Sequence, residues 1–226
     1  LQERGLMETK RFIATIGSSF EPGCWEALER AAQATQSIGA KVEIMPIGNR
    51  CVTPMHGLAM MRNLGLIEAI RSGATHVLLI DTDMELAEDA LVELLKARVK
   101  AAVPWFDQSF IVGAHGWHHL IAPLDAAPPG KESRKLEWAI MSCVLFETSI
   151  FGPGKVDLRF FHDYMATMEE EYYWAYLSVF GVECRQVPTA IATLKRPPTK
   201  MYELARQHIV ARPDGNGRVD LIVEHS

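Results

Sequence analysis

The chain has 226 residues, 48% of them hydrophobic, enough for one medium-sized globular domain with a substantial core. Twenty-three basic against 28 acidic residues leave a formal net charge of −5, which excludes bulk attraction to nucleic acid or to an anionic membrane. No apolar stretch reaches the roughly 20 residues that span a bilayer, so no membrane insertion is expected, and LQERGLMETKR lacks the apolar core of a signal peptide.

The elements follow in chain order. RFIATIGSS (11–19) is a short β-branched run closed by Gly and Ser, which predicts a buried strand and a loop. EPGCWEALERAAQATQSIG carries Trp25, Leu28, Ala31 or Ala32 and Ile38 near helical spacing, with Gly39 placed to stop the helix. KVEIMPIG (41–48) reads as a second strand. MHGLAMMRNLGLIEAIRSG (55–73) reads as a helix, and THVLLID (75–81) as a third strand. ELAEDALVELLKARV reads as a third helix, acidic early and basic late as the helix dipole favours. KAAVPWF follows as a fourth strand. This alternation predicts an α/β domain with a mostly parallel central sheet flanked by helices.

Beyond it, residues 106–135 are rich in Pro, Gly, His and charge and read as a long excursion. LEWAIMSCVLFE (136–147) reads as a strand, FGPG as a turn, and ATMEEEYYWAYLSVFG (166–181) as an amphipathic helix ended by Gly181. VECRQVP reads as a last core strand, and the tail carries turn chemistry in DGNG with one more strand beside it. Neither a repeat nor a linker interrupts the chain, so residues 1–226 are expected to form a single domain. Cys24, Cys51, Cys143 and Cys184 form no CxxC pair, which favours buried free thiols in a reducing, cytoplasmic setting over a zinc site. Met7 is the expected natural start.

HVLLIDTDMELAED ends an apolar run in two aspartates one residue apart, Asp81 and Asp83. In open α/β sheets, ligands sit at the carboxyl ends of strands, and a carboxylate pair there can hold a divalent cation that in turn holds a diphosphate. The competing reading is that Asp81 ends the strand and Asp83 caps the next helix. A phosphatase with Asp81 as nucleophile is a further alternative, although its strand would normally come first in the fold and here it comes third.

RFIATIGSS, together with MMRNLGLIEAIRSGATHVLLIDTDMELAEDALVELL, resembles the nucleotide-sugar half of GT-A-fold glycosyltransferases, in which an Arg-Asn helix precedes a strand ending in DxD. The resemblance covers residues 11–105 well and continues more loosely to 197. It implies a GT-A-type, Rossmann-like fold with a nucleotide-sugar half (11–105), an acceptor half (106–197) and a tail (198–226). It also implies nucleotide-sugar contacts from Gly17, Ser18, Ser19, Arg62, Asn63 and Asp81, with Mn2+ or Mg2+ on Asp81 and Asp83. Inverting members carry an acidic pair early in a helix about a dozen residues before a Gly, which maps onto Glu170, with Glu171 next, as general base toward an acceptor hydroxyl. Three glutamates in a first helical turn also simply suit the dipole.

One departure stands out. Many members carry a metal-binding His after the last core strand, whereas this chain reads QVPTAIATLKRPPTK, with Thr193, Leu194 and Lys195 roughly there. Either Asp83, the diphosphate and water hold the metal, or Lys195 and Arg196 neutralise the diphosphate directly. The expected activity is transfer of a sugar from a nucleotide-diphosphate sugar, a UDP-sugar first, to a glycan or small hydroxyl compound. A hydroxylated DNA base is a lesser acceptor candidate, met by a strip of Lys195, Arg196, Lys200 and Arg206. A nucleotidyltransferase and a non-catalytic nucleotide-sugar-binding module are the other classes.

Trp105, Phe106 and Trp138 are candidates to line the sugar or acceptor pocket, and His115, Trp117, His118 and His119 to form an acceptor-side loop. Tyr172, Tyr173, Trp174 and Tyr176 wrap too much of their helix to share one face, so some must be core.

Overall fold

The computed structural model describes residues 9–16, 20–47, 54–107, 132–136, 139, 141–157, 169–195, 209–213 and 219–223. Of these, residues 9, 54–59, 107, 169–172, 209–213 and 219–223 are described in backbone only. The strands are β1 (Thr9–Ile16), β2 (Ala40–Ile47), β3 (His76–Asp81), β4 (Met84–Leu86), β5 (Ala101–Asp107), β6 (Arg134–Leu136), β7 (Cys143–Glu147), β8 (Cys184–Leu194), β9 (Ile209–Pro213) and β10 (Val219–Val223). The helices are α1 (Cys24–Ala34), α2 (Pro54–Arg71), α3 (Ala90–Lys96) and α4 (Glu169–Val179), with 3-10 turns at Thr35–Ile38 and Thr148–Ile150.

Among the described residues, eight strands form one sheet in the order β2-β1-β3-β7-β5-β8-β4, with β6 also on β8. β1 is parallel to β2 and β3, and β5 is parallel to β8. β7 runs antiparallel between β3 and β5, so β1, β2, β3, β5 and β8 all point one way and their carboxyl ends share one edge of the sheet. The domain is thus α/β with a mostly parallel central sheet.

The core is a continuous layer of small and branched residues. Phe12, Ile13, Ala14, Ile16, Leu78, Leu79, Val144 and Phe146 are buried in the centre of the sheet. Apolar runs buried on both faces are what parallel strands covered by helices require. Gly65 sets the height of α2 over this layer: a Cβ on it would stand 2.6 Å from the Ala14 Cβ and 3.2 Å from the Leu79 side chain. α4 docks through Tyr173, Trp174 and Leu177 against Phe146, whose ring meets Tyr173 edge-on at 5.9 Å. Tyr176 is half-buried, so the aromatic run does divide between core and surface. Gly181 ends that element at φ 68°, a conformation open to glycine at little cost.

Several expected elements differ. The helix expected from Glu85 is a strand, β4, followed by the shorter helix α3: Met84 and Leu86 are buried with Glu85 half-exposed between them, a period of two that pairs with β8. The single strand expected over 136–147 is two, because Leu136 belongs to the edge of β8 while Cys143–Glu147 enters the sheet between β3 and β5. The last core strand runs on to Leu194. The tail forms an antiparallel pair, β9 and β10, and the DGNG stretch between them lies outside the described residues. Trp105 and Phe106 are core residues, 6% and 2% exposed, not pocket lining. Trp138 and the HGWHH segment lie outside the described residues, as does Cys51. Cys24, Cys143 and Cys184 are free and buried, as expected. Among the described residues no helix is long and apolar enough to cross a membrane.

Candidate functional site

β3 delivers Asp81 to the shared carboxyl edge, in register with Ile16 at the end of β1. Side chains alternate along a strand, so Leu79 and Asp81 share a face, and that face meets α2 at Gly65. One turn before Gly65, Arg62 is buried, and its guanidinium stands 3.7 Å from the Asp81 carboxylate. Arg62, expected with Asn63 to contact the nucleotide, thus stands beside the first aspartate. Asn63, half-buried, follows it on α2.

The turn between the aspartates is held by backbone. Asp81 N–H donates to Ser142 O at 2.8 Å, and Thr82 N–H to Ile16 O at 3.1 Å. Glu21 N–H donates to Thr82 O at 3.1 Å, so the two described sides of the loop after β1 both bond to this turn. Gly17, Ser18 and Ser19 themselves lie outside the described residues.

Asp83 does not cap a helix. β4 follows it, and the N-cap of α3 is Asp89. Lys195 N–H donates to Asp83 O at 2.8 Å, extending the β4–β8 ladder by one step. Thr193 is paired with Glu85, so by alternation Asp83, Glu85, Thr193 and Lys195 share one face of that ladder. The Lys195 ammonium lies 2.8 Å from the Glu85 carboxylate, and this hydrogen bond raises the lysine pKa. The same row reaches β5, where Asp107 pairs with Thr193. Lys195 therefore stands at the aspartate turn. Arg196 lies outside the described residues.

Two buried thiols register the negative charge. Cys24, at the start of α1, has its pKa pushed up to about 11 by burial and by the Glu85 and Asp83 carboxylates, against the opposing pull of Lys195. The Cys143 thiol is pushed up by burial and by Asp81. The second half of the chain joins the same neighbourhood through its backbone. Trp174 Nε1–H donates to Ala139 O at 2.7 Å, which ties α4 to the segment whose Ser142 holds Asp81. The side chains of Glu170 and Glu171, first-turn residues of α4, lie outside the described ones.

Among the described residues no three of His, Cys, Asp and Glu converge as a ready-made metal cage. The acidic side chains at the turn offer carboxylate oxygens, the ligand type of a hard cation that takes one or two carboxylates and completes its shell with phosphate and water. Mn2+ or Mg2+ on Asp81 and Asp83 fits that donor set.

No family model matches the chain, and no curated protein matches it. Solved structures do. A197 from STIV matches at 10% identity and a TM-score of 0.46, over 96% of this chain and 95% of that one. GalNAc-T7 with UDP, GalNAc and Mn2+ matches at 14% identity and a TM-score of 0.48, over 90% of this chain and 48% of that one. The catalytic domain of Drosophila β1,4-galactosyltransferase 7 with xylobiose matches at 8% identity and a TM-score of 0.46, over 96% and 95%. With identities of 8–14% and TM-scores below 0.5, these matches carry no argument about the activity of this chain or the roles of its residues.

Glu85 is the residue that sequence reasoning missed. Its signal was the buried–exposed–buried pattern of Met84, Glu85 and Leu86, hidden because the same letters also open a plausible helix.

Proposed function

We propose that this protein is a glycosyltransferase that moves a sugar from a nucleotide-diphosphate sugar, a UDP-sugar first, to a hydroxyl of a glycan or small acceptor. The observation that carries the reading is the gathering of Arg62, Asp81, Asp83 and Lys195, from α2, β3 and the end of β8, around one turn at the carboxyl edge of the sheet. That is the edge at which α/β sheets take their ligands.

In this reading Arg62 orients Asp81 toward the ribose and the metal-bound water, and Asp83 holds the metal on its exposed side. Gly17, Ser18, Ser19 and Asn63 contact the nucleotide, and Lys195 and Arg196 face the diphosphate. Mn2+ or Mg2+, when bound, neutralises charge on the departing nucleoside diphosphate. Glu170 acts as general base, taking the acceptor hydroxyl proton as the oxygen attacks the anomeric carbon from the side opposite the leaving group, which inverts the centre. Glu171, next on α4, is the second candidate for that role.

The test is turnover with stereochemistry. Incubation with UDP-sugars and Mn2+ is expected to give product of inverted configuration by NMR, and Glu170→Gln to lower kcat by about 10²–10⁴ with donor affinity unchanged. Retained configuration would remove Glu170 from its role.

A further inference from the structure

The cations at the aspartate turn are held in different ways. Arg62 is 5% exposed in its side chain and held on the buried side of α2, so it can orient Asp81 but cannot travel. Lys195 is 41% exposed and its charge rests on Glu85, itself 33% exposed, at the rim. The lysine backbone is pinned to Asp83, while the ammonium sits at the end of a flexible four-carbon stem. Glu85 and Asp83 lie on the same face of the β4–β8 ladder, so an anion drawn to a cation on Asp83 would arrive beside the Lys195–Glu85 pair.

We propose that Glu85 and Lys195 form an exchangeable ion pair: Glu85 is a positioning residue that keeps the Lys195 ammonium beside the aspartate turn and yields it to the incoming diphosphate. This inference rests on the reading of the turn as a diphosphate site, and adds that the chain itself supplies part of the neutralisation. No covalent bond changes. The ammonium exchanges one carboxylate oxygen for a phosphate oxygen, and Glu85, half-exposed, turns to water. Exposed ion pairs are weak because water screens them, whereas an ammonium on a phosphate oxygen forms a charge-assisted hydrogen bond. The exchange therefore runs toward the anion. Glu85 also sets the direction of approach: without it the lysine stem samples more of the surrounding solvent, but no carboxylate competes for its charge.

The two residues are thus expected to act with opposite sign on anion affinity. The experiment measures calorimetric dissociation constants for inorganic pyrophosphate in EDTA, and for UDP, GDP and CDP with Mn2+. The proteins are wild type, Lys195→Gln, Lys195→Arg and Glu85→Gln, each checked for an unchanged melting midpoint. Wild type is expected to bind pyrophosphate without metal, Lys195→Gln at least about tenfold more weakly and Lys195→Arg within about threefold of wild type. Glu85→Gln is expected to bind about two- to fivefold more tightly, because its lysine leaves no partner behind. The proposal is overturned if Glu85→Gln binds no more tightly than wild type, if Lys195→Gln binds equally well, or if wild type binds a nucleoside diphosphate with Mn2+ yet no pyrophosphate in EDTA. In each case metal-dependent nucleotide binding by wild type leaves the glycosyltransferase reading standing. Failure of wild type to bind any of these anions under any condition sinks both.

Discussion

At the amino end of β3, His76 lies between Arg11 and Glu147; at the carboxyl end, Asp81 lies beside Arg62. Both ends of one six-residue strand therefore carry a half-buried titratable group with charged company, yet the two ends are built differently. Around His76 the polar groups close the backbone. Thr75 N–H donates to Lys10 O at 3.0 Å, Thr148 Oγ1–H to Ala74 O at 2.6 Å, and the Arg11 guanidinium donates to Thr75 Oγ1. The ring is pushed down to a pKa of about 4, first by burial, then by Arg11, against Glu147. Around Asp81 backbone groups bond to backbone groups, at Ser142, Ile16 and Glu21, and the cations arrive from α2 and from the end of β8. The amino end holds a neutral histidine closed in by internal bonds; the carboxyl end leaves carboxylates half-exposed beside one fixed and one flexible cation. That difference is why the candidate site belongs to one end only.

Forcing α2 off the sheet should break the comparison most. Gly65→Val places side-chain carbon where 2.6 Å already separates a Cβ from Ala14, and no comparable contact exists at the amino end of β3 among the described glycines. The expected cost is about 2–3 kcal/mol, together with loss of nucleotide binding as Arg62 leaves Asp81. Chemical denaturation and a binding titration on the same protein measure both.

Removing the buried cation alone should do less. Arg62→Met is expected to cost about 2 kcal/mol, because the partly buried Asp81 loses a cation standing 3.7 Å away. Adding Asp81→Asn to that variant should recover much of the loss, and a double-mutant cycle reads the coupling. Additive losses in the cycle would mean that the two residues do not act as a pair.

The amino end should answer to pH instead. The folded pKa of His76 lies below its ordinary 6.5, so the unfolded chain takes up the proton first. Its contribution is therefore complete above about pH 6.5 and is lost as pH falls toward about 4. With a discount for its partial exposure, the loss amounts to about 1–2 kcal/mol. His76→Gln should flatten the decline of the melting midpoint over that window and leave nucleotide binding near pH 7.5 unchanged. A steeper decline would contradict the assignment.

How much of this could be read from the letters follows the range of the interactions. β1, β3 and the helices between them announce themselves by apolar runs and helical spacing, because each is fixed by neighbours a few residues away. Arg62 and Asp81 stand out singly in the sequence, through the order Arg-Asn helix, apolar strand, aspartate, but their ion pair shows only in the structure. β4 was not legible, since a three-residue strand exists only because β8 runs beside it, more than a hundred residues later. The insertion of β7 between β3 and β5 is equally non-local. Lys195 stands where the resemblance expects a histidine, but the letters around its partner Glu85 also suit a helix, so the pair shows only with β4 and β8 side by side.

The central claim is that the aspartate turn holds a metal-bound diphosphate, and binding of nucleoside diphosphates with and without Mn2+ to wild type and Asp83→Ala tests it most directly. The account predicts that one of UDP, GDP and CDP binds wild type with Mn2+ about tenfold or more tightly than in EDTA, and that Asp83→Ala abolishes this gain while melting within about 2 °C of wild type. An undiminished Mn2+-dependent gain in Asp83→Ala, or no nucleotide binding by wild type at all, would contradict it.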